Sequence, residues 1–528
     1  MKVALYDTTL RDGAQTEGIS FSVMDKIRIA RKLDELGARY IEGGWPGANP
    51  KDLEFFKKIK SVKFRASEIV AFGSTRHPKS SANQDSVLRA LLAANTRIVT
   101  IFGKSWDLHV REVFKVPLED NIRMISDSIR YLRSKGREVF YDAEHFFDGF
   151  KDNPDYAKQT VTAAMEAGAG AVILCDTNGG AITSEIFKIV QEVVKFLGVP
   201  VGIHVHNDGD MAVANTIAAV QAGASQVQGT INGIGERCGN ANLISIIADL
   251  SLKLGIDCIS KISLKELTEV SRYVAEVCNM RQLETQPFVG NSAFAHKAGV
   301  HINAILKDPR TYEHIEPHLV GNRRRMLVSD QTGKSGLVKK AGELELDLDK
   351  EAPKTKKLIK LVQDLEHKGY HFEAAEASLE LLMKRAMKKF KDFFKLEDFR
   401  VIIEKSGKKM KSEAIIKLKV GKSLQHTASL GDGPVNALDN ALRKALKDFY
   451  PGLSEMHLSD FKVRVLDEKE GTAAKVRVLI QSQDKGDSWW TIGVSENIIE
   501  ASWQALVDSV EYKLLKDTEN KNGNTAPI

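Results

Sequence analysis

The sequence predicts a (β/α)8 barrel, then a helical linker and an α+β module. Two patterns predict the barrel. Over about the first 255 residues, eight short apolar runs alternate with longer segments of helical periodicity. The polar and glycine-rich clusters follow those runs, on the side where a barrel gathers its functional loops. A third pattern, three strand-like runs and then a helix, occurs twice after residue 391 and predicts the module. A doubly wound open sheet would alternate in the same way and is the competing fold.

The strand-like runs are residues 3–6, 40–42, 68–72, 98–102, 138–141, 171–174, 201–204 and 226–229. Residues 23–36, 118–134 and 212–222 carry helical periodicity, the last stopped by Gly223. Beyond the barrel, at 1–274, the expected parts are a linker at 275–390, a regulatory or dimerisation domain at 391–515 and a frayed polar tail at 516–528. In the module the runs at 399–403, 414–418 and 424–429 precede a helix at 435–447. The order returns at 461–465, 474–479 and 489–493, with a helix at 498–514.

Composition excludes several classes. The 528 residues exceed what one core can organise, and a net charge of +6 is too small on that length to argue for nucleic acid. Lysines cluster at 354–360 and 384–411, where acidic and apolar residues interleave them, so a solvated helix face is expected there. The four cysteines show no C-x-x-C spacing, which argues against a zinc ribbon or disulfide framework and fits a reducing compartment. No signal peptide or membrane-length apolar run is visible, so a cytoplasmic protein without a membrane partner is expected. Gly333-Lys-Ser335 and Gly421-Lys-Ser423 lack the earlier glycine of a phosphate loop, with Val328 and Ile416 in its place.

The ends of the strand-like runs hold the chemistry. His204 and His206 lie two apart, so a strand presents both imidazoles to one face, where a metal or ordinary hydrogen bonds could satisfy them. Other ends carry Asp7-Thr-Thr-Leu-Arg-Asp-Gly13, Glu42-Gly-Gly-Trp-Pro-Gly47, Asp142-Ala-Glu-His145 and Asp176-Thr-Asn-Gly179, and the last runs into Gly233-Ile-Gly-Glu-Arg-Cys-Gly-Asn240. The first of these, His204-Val-His-Asn-Asp208 and Gly233 to Asn240 together resemble the signature set of the metal-dependent aldol and Claisen barrel enzymes. These include the 2-isopropylmalate, homocitrate and citramalate synthases. Ala14 stands where that family commonly has Glu.

The resemblance implies a divalent metal held by Asp12, His204, His206 and Asn240, a donor set that favours Zn²⁺ or Mn²⁺ over Mg²⁺. It implies that Arg11 meets negative charge on a substrate carbonyl oxygen, that Glu144 handles protons or orients an acetyl group, and that Thr177 binds a 2-oxo acid carboxylate. A structural pairing of Glu144 with Arg11, and a helix-capping role for Thr177, are the plainer readings of those two residues. Asn291-Ser-Ala-Phe-Ala-His-Lys-Ala-Gly-Val-His301 and Tyr312 are similar to the family's linker segment, which implies that His301 and Tyr312 act in a partner subunit's site. The repeat, with Gly431-Asp-Gly-Pro-Val-Asn436, is similar to the regulatory domain of these synthases and implies a homodimer inhibited by an end-product amino acid.

Within the family the segments at 42–52 and 142–150 look closest to the long-chain citramalate synthase branch. That branch uses acetyl-CoA and pyruvate and feeds isoleucine formation. The 2-isopropylmalate and homocitrate synthases are the alternatives, and a non-catalytic basic binding protein is the alternative of another class.

Overall fold

The computed structural model describes residues 3–327, 338, 340–342, 346, 353–407, 409–466, 474–484 and 487–521. Eight parallel strands close a barrel in chain order: β1 (Ala4–Asp7), β2 (Tyr40–Gly44), β3 (Glu68–Ser74), β4 (Ile98–Lys104), β5 (Glu138–Glu144), β6 (Ala171–Asp176), β7 (Val201–Val205) and β8 (Gln226–Gly229). β8 pairs back onto β1, from Ala4 opposite Gln226 to Asp7 opposite Gly229. Closure excludes the open sheet.

Two apolar layers hold it. Inside, Tyr6, Val70, Ile98, Phe140, Ile173 and Cys175 fill the barrel. Outside, residues such as Leu33, Phe55, Leu91, Ile129, Val161 and Val190 pack helices on strands. Helix Val23–Leu36 shows how locally this is written. Ser22 and Asp25 form a reciprocal capping box, and Gly37 ends the helix in the left-handed region at φ 100°.

Several strands run past the apolar stretch that announces them. β4 reaches Lys104, β5 Glu144 and β6 Asp176. Each polar extension still pairs with its neighbour, as Lys104 opposite Glu144 and Asp176 opposite Val205 do. These polar side chains therefore stand on strand ends, where the sheet fixes their direction.

The chain divides into two units, residues 1–294 with 314–324 and residues 295–313 with 325–528. In the second, β9 (Ala295–His296) pairs with β10 (Arg325–Met326). The expected repeat follows, with β11 (Lys395–Ser406), β12 (Lys409–Val420) and β13 (Ser423–Gly431) before helix Pro434–Leu446. Then β14 (His457–Val465), β15 (Val476–Gln483) and β16 (Ser488–Ser495) precede helix Ile498–Lys521. Both sheets are antiparallel, and the register slips at matching places, between Leu396 and Asp398 and between Leu458 and Asp460. Both helices share one core that includes Ile416, Leu438, Leu442, Ile480, Leu506 and Val510.

Two expectations are corrected. Of the lysines at 384–411, Lys395 and Lys405 lie on β11 and Lys409 and Lys411 on β12 rather than on a helix face, and Lys384 itself is buried between Glu380 and Glu519. The tail expected from residue 516 is helical to Lys521, supported by Lys513 to Asp517 and by the Thr518 hydroxyl donating to the Leu514 carbonyl. Residues 333–335 and 522–528 lie outside the described residues. Among the described residues no helix is long and apolar enough to cross a membrane.

Candidate metal centre and active site

Three barrel ends converge on one point. After β1 the amides of Arg11, Asp12 and Gly13 all donate to the Thr8 carbonyl at 3.2, 2.9 and 3.1 Å. This turn keeps Asp12 buried at the barrel mouth. His204 lies in β7 and His206 just past it, with ring centres 5.1 Å apart. The backbone of His206 bridges to Asn240, which the glycine-rich loop after β8 brings back to β7.

Asp12 Oδ2 lies 3.5 Å from His204 Nε2 and 3.8 Å from His206 Nε2. The donor atoms of these three buried residues lie within 4.8 Å of one another, a cluster that could hold a metal ion. Asp12 Oδ1, Asn240 Oδ1 and His206 Nδ1 are buried with no hydrogen-bond partner among the described residues. Burying polar atoms unpaired is costly, and a cation at this point would satisfy the two oxygens. Burial and the neighbouring His206 push His204 down to about 3, and burial lowers His206 as well. Burial would raise Asp12, but Arg11 and both imidazoles outweigh it and hold the carboxyl down at about 2. A neutral imidazole pair beside an ionised carboxylate is the protonation state that metal ligation requires.

Arg11 is clamped beside this cluster. Its Nε donates to Glu42 Oε1 at 2.6 Å, Nη1 lies 3.2 Å from Asp12 Oδ2, and the guanidinium sits 3.9 Å above the Phe72 ring. Glu42 also accepts from Tyr6 at 2.5 Å and Thr8 at 2.7 Å, so it is rigidly held. Phe72 stacks on Phe102, and Trp45 stands edge-on to both. Glu144 therefore does not pair with Arg11, which Glu42 already holds. It forms an ion pair with Lys104 across β4 and β5. The Thr177 hydroxyl accepts from the His145 amide at 2.9 Å and caps no helix. His301 and Tyr312 belong to the second unit, where their ring centres are 4.1 Å apart and both residues are exposed.

Three family models match the chain: HMGL-like over residues 2–274, the homocitrate synthase post-HMGL domain-like family over 288–369, and the LeuA allosteric (dimerisation) domain over 373–514. The (R)-citramalate synthase of Aquifex aeolicus is 56% identical over 521 residues, 98% of this chain and 99% of that one. The chain belongs to the (R)-citramalate synthase family. That of Geobacter sulfurreducens is 56% identical over 98% of both chains. The 2-isopropylmalate synthase of Methanocaldococcus jannaschii is more distant, at 31% identity over 98% of this chain and 95% of that one.

In this chain, sequence reasoning missed the residues that hold the site rather than form it. Glu42 was visible at the end of β2, but its role rests on contacts with Tyr6, Thr8 and Arg11 that no spacing announces. Lys104 was hidden because its strand was expected to stop at Phe102. A cation in register with Glu144 on the neighbouring strand is the signal that could have found it.

Proposed function

We propose that this chain is a citramalate synthase: it condenses acetyl-CoA with pyruvate and hydrolyses the thioester, giving (R)-citramalate and free CoA. The buried Asp12, His204 and His206 cluster beside a clamped Arg11, in a chain 47 to 56% identical to five (R)-citramalate synthases, carries the reading. Asp12, His204, His206 and Asn240 would hold one divalent metal, Mn²⁺ or Zn²⁺ before Mg²⁺, which when bound supplies Lewis-acid polarisation of the 2-oxo acid.

The remaining steps belong to the protein. Thr177 binds the pyruvate carboxylate, and Arg11 faces the keto oxygen as negative charge grows there. A base takes a proton from the acetyl methyl group, with Glu144 orienting the thioester and His301 and Tyr312 serving the proton transfers. The enolate carbon bonds to the keto carbon, the resulting alkoxide takes a proton, and water then splits the thioester into carboxylate and CoA thiol. Phe72 against Arg11, backed by Trp45 and Phe102, puts an aromatic wall beside the site, which fits a short 2-oxo acid.

The same reading makes the chain a cytoplasmic homodimer of isoleucine formation, with the repeat module as its dimerisation and inhibitor-binding part. Free CoA release from acetyl-CoA with Mn²⁺ or Zn²⁺ tests it, comparing pyruvate, 2-oxoisovalerate and 2-oxoglutarate. Pyruvate preference, with inhibition by isoleucine, is expected; preference for either of the others moves the chain to 2-isopropylmalate or homocitrate synthesis. His204→Ala should abolish turnover and keep the circular dichroism of the parent.

A further inference from the structure

One buried chain of hydrogen bonds serves no step above. His204 Nδ1 lies 3.0 Å from Gln228 Oε1, and Gln228 Nε2 donates to Asp142 Oδ1 at 3.2 Å. Gln228 is fully buried in β8, and Asp142 is 4% exposed in β5. The order of the atoms sets the direction of the bonds. An amide whose nitrogen donates to Asp142 must present its oxygen to the imidazole, and an amide oxygen only accepts. His204 therefore carries its proton on Nδ1, leaving the Nε2 lone pair facing Asp12 Oδ2.

We propose that Gln228, held by Asp142, is a positioning residue for His204: it fixes the imidazole tautomer and orientation needed for metal ligation. This rests on the metal reading above. Second partners of metal-bound histidines are more often carboxylates or backbone carbonyls. Here a neutral amide stands between the imidazole and the carboxyl, and that carboxyl is itself driven toward its protonated form by burial and by Glu42. The strut has a second effect. It runs from β7 through β8 to β5, and Asp142 lies two residues before Glu144, so the side of the barrel that presents His204 is tied to the strand that presents Glu144.

The test is metal titration of the metal-free full-length chain by calorimetry, with Mn²⁺ and Zn²⁺, alongside ¹⁵N chemical shifts of the histidine rings. The parent should take up one equivalent and show an Nδ1-protonated His204, assigned by its loss in His204→Ala. Gln228→Leu should weaken metal binding about 10- to 100-fold, the cost usual for such partners, and leave the His204 proton shared between the two nitrogens. Gln228→Met removes the acceptor at similar length and gives the same result should the leucine variant not fold. Asp142→Asn keeps an oxygen that accepts from Gln228 Nε2 and should hold metal within about threefold of the parent. Parent-like affinity and tautomer in the leucine or methionine variant would overturn the proposal while sparing the metal reading. A parent chain that takes up no metal would overturn both.

Discussion

At the scale of single residues, the centre joins groups that resist charge to groups that keep it. His204 ordinarily titrates near 6.5, and burial with His206 pushes it to about 3. Between those values the unfolded chain binds a proton that the folded chain refuses. Stability from this residue is complete above pH 6.5 and falls as pH drops toward 3. Asp7 acts in the opposite sense. Burial raises it to about 7 against the pull of Thr9, so the folded chain keeps a proton that the unfolded chain releases above its ordinary value, and this contribution grows as pH falls below 7. The net slope mixes the two, so the informative quantity is a difference. In metal-free protein, melting temperature should fall less between pH 7 and pH 5 in His204→Gln than in the parent, and equal slopes would remove His204 as the cause. Arg11 invites a second substitution. Arg11→Lys loses the side-on bond to Glu42 and the flat contact with Phe72. It should lower kcat about 10²-fold, the scale of one transition-state donor, with metal affinity near that of the parent.

At the scale of elements, the loop after β8 is the most exacting. A Cβ at Gly235 would collide with the Asn240 amide nitrogen, and Gly239 adopts φ 88° with no room for a side chain against the Gly233 carbonyl. Gly235→Ala should push Asn240 out of place and weaken metal binding at least about tenfold while β1 to β8 keep their fold; calorimetry and circular dichroism check the two halves of that statement. The barrel elements were legible because each is decided locally. Periodicity located all eight strands, and helices 23–36 and 118–134 begin and end where the pattern predicts. The strand ends were not, since a search for apolar runs stops where the polar site begins. Lys104, Glu144 and Asp176 continue strands whose pairing is set by neighbours far away in sequence. The triad was legible through its motifs, whereas Glu42, Gln228 and Asp142 act through contacts that only closure of the barrel creates.

At the scale of the whole molecule, the second unit carries an unusual exposed face. β14 leaves Leu458, Phe461, Val463 and Val465 open, and beside it lies a cavity of about 930 Å³ lined by Val435, Arg443, Leu453, Met456 and Phe461 among others. Exposed apolar surface of this kind marks interaction sites. If the proposed homodimer forms through this face, Phe461→Asp should lower the sedimenting mass from dimer to monomer at micromolar concentration, and an unchanged dimer mass would exclude β14 from the contact. The paired register slips reach further. Leu396 answers to Leu458, Asp398 to Asp460 and Val401 to Val463, each on the first strand of its repeat. A slip kept at the same step in both repeats lets them be aligned residue for residue. The halves differ in the helix each closes on, Pro434–Leu446 in one and the longer Ile498–Lys521 in the other. The chain thus carries an internal control: a substitution in one repeat has a counterpart in the other, and asymmetry between the two responses separates what the shared architecture requires from what one half alone does.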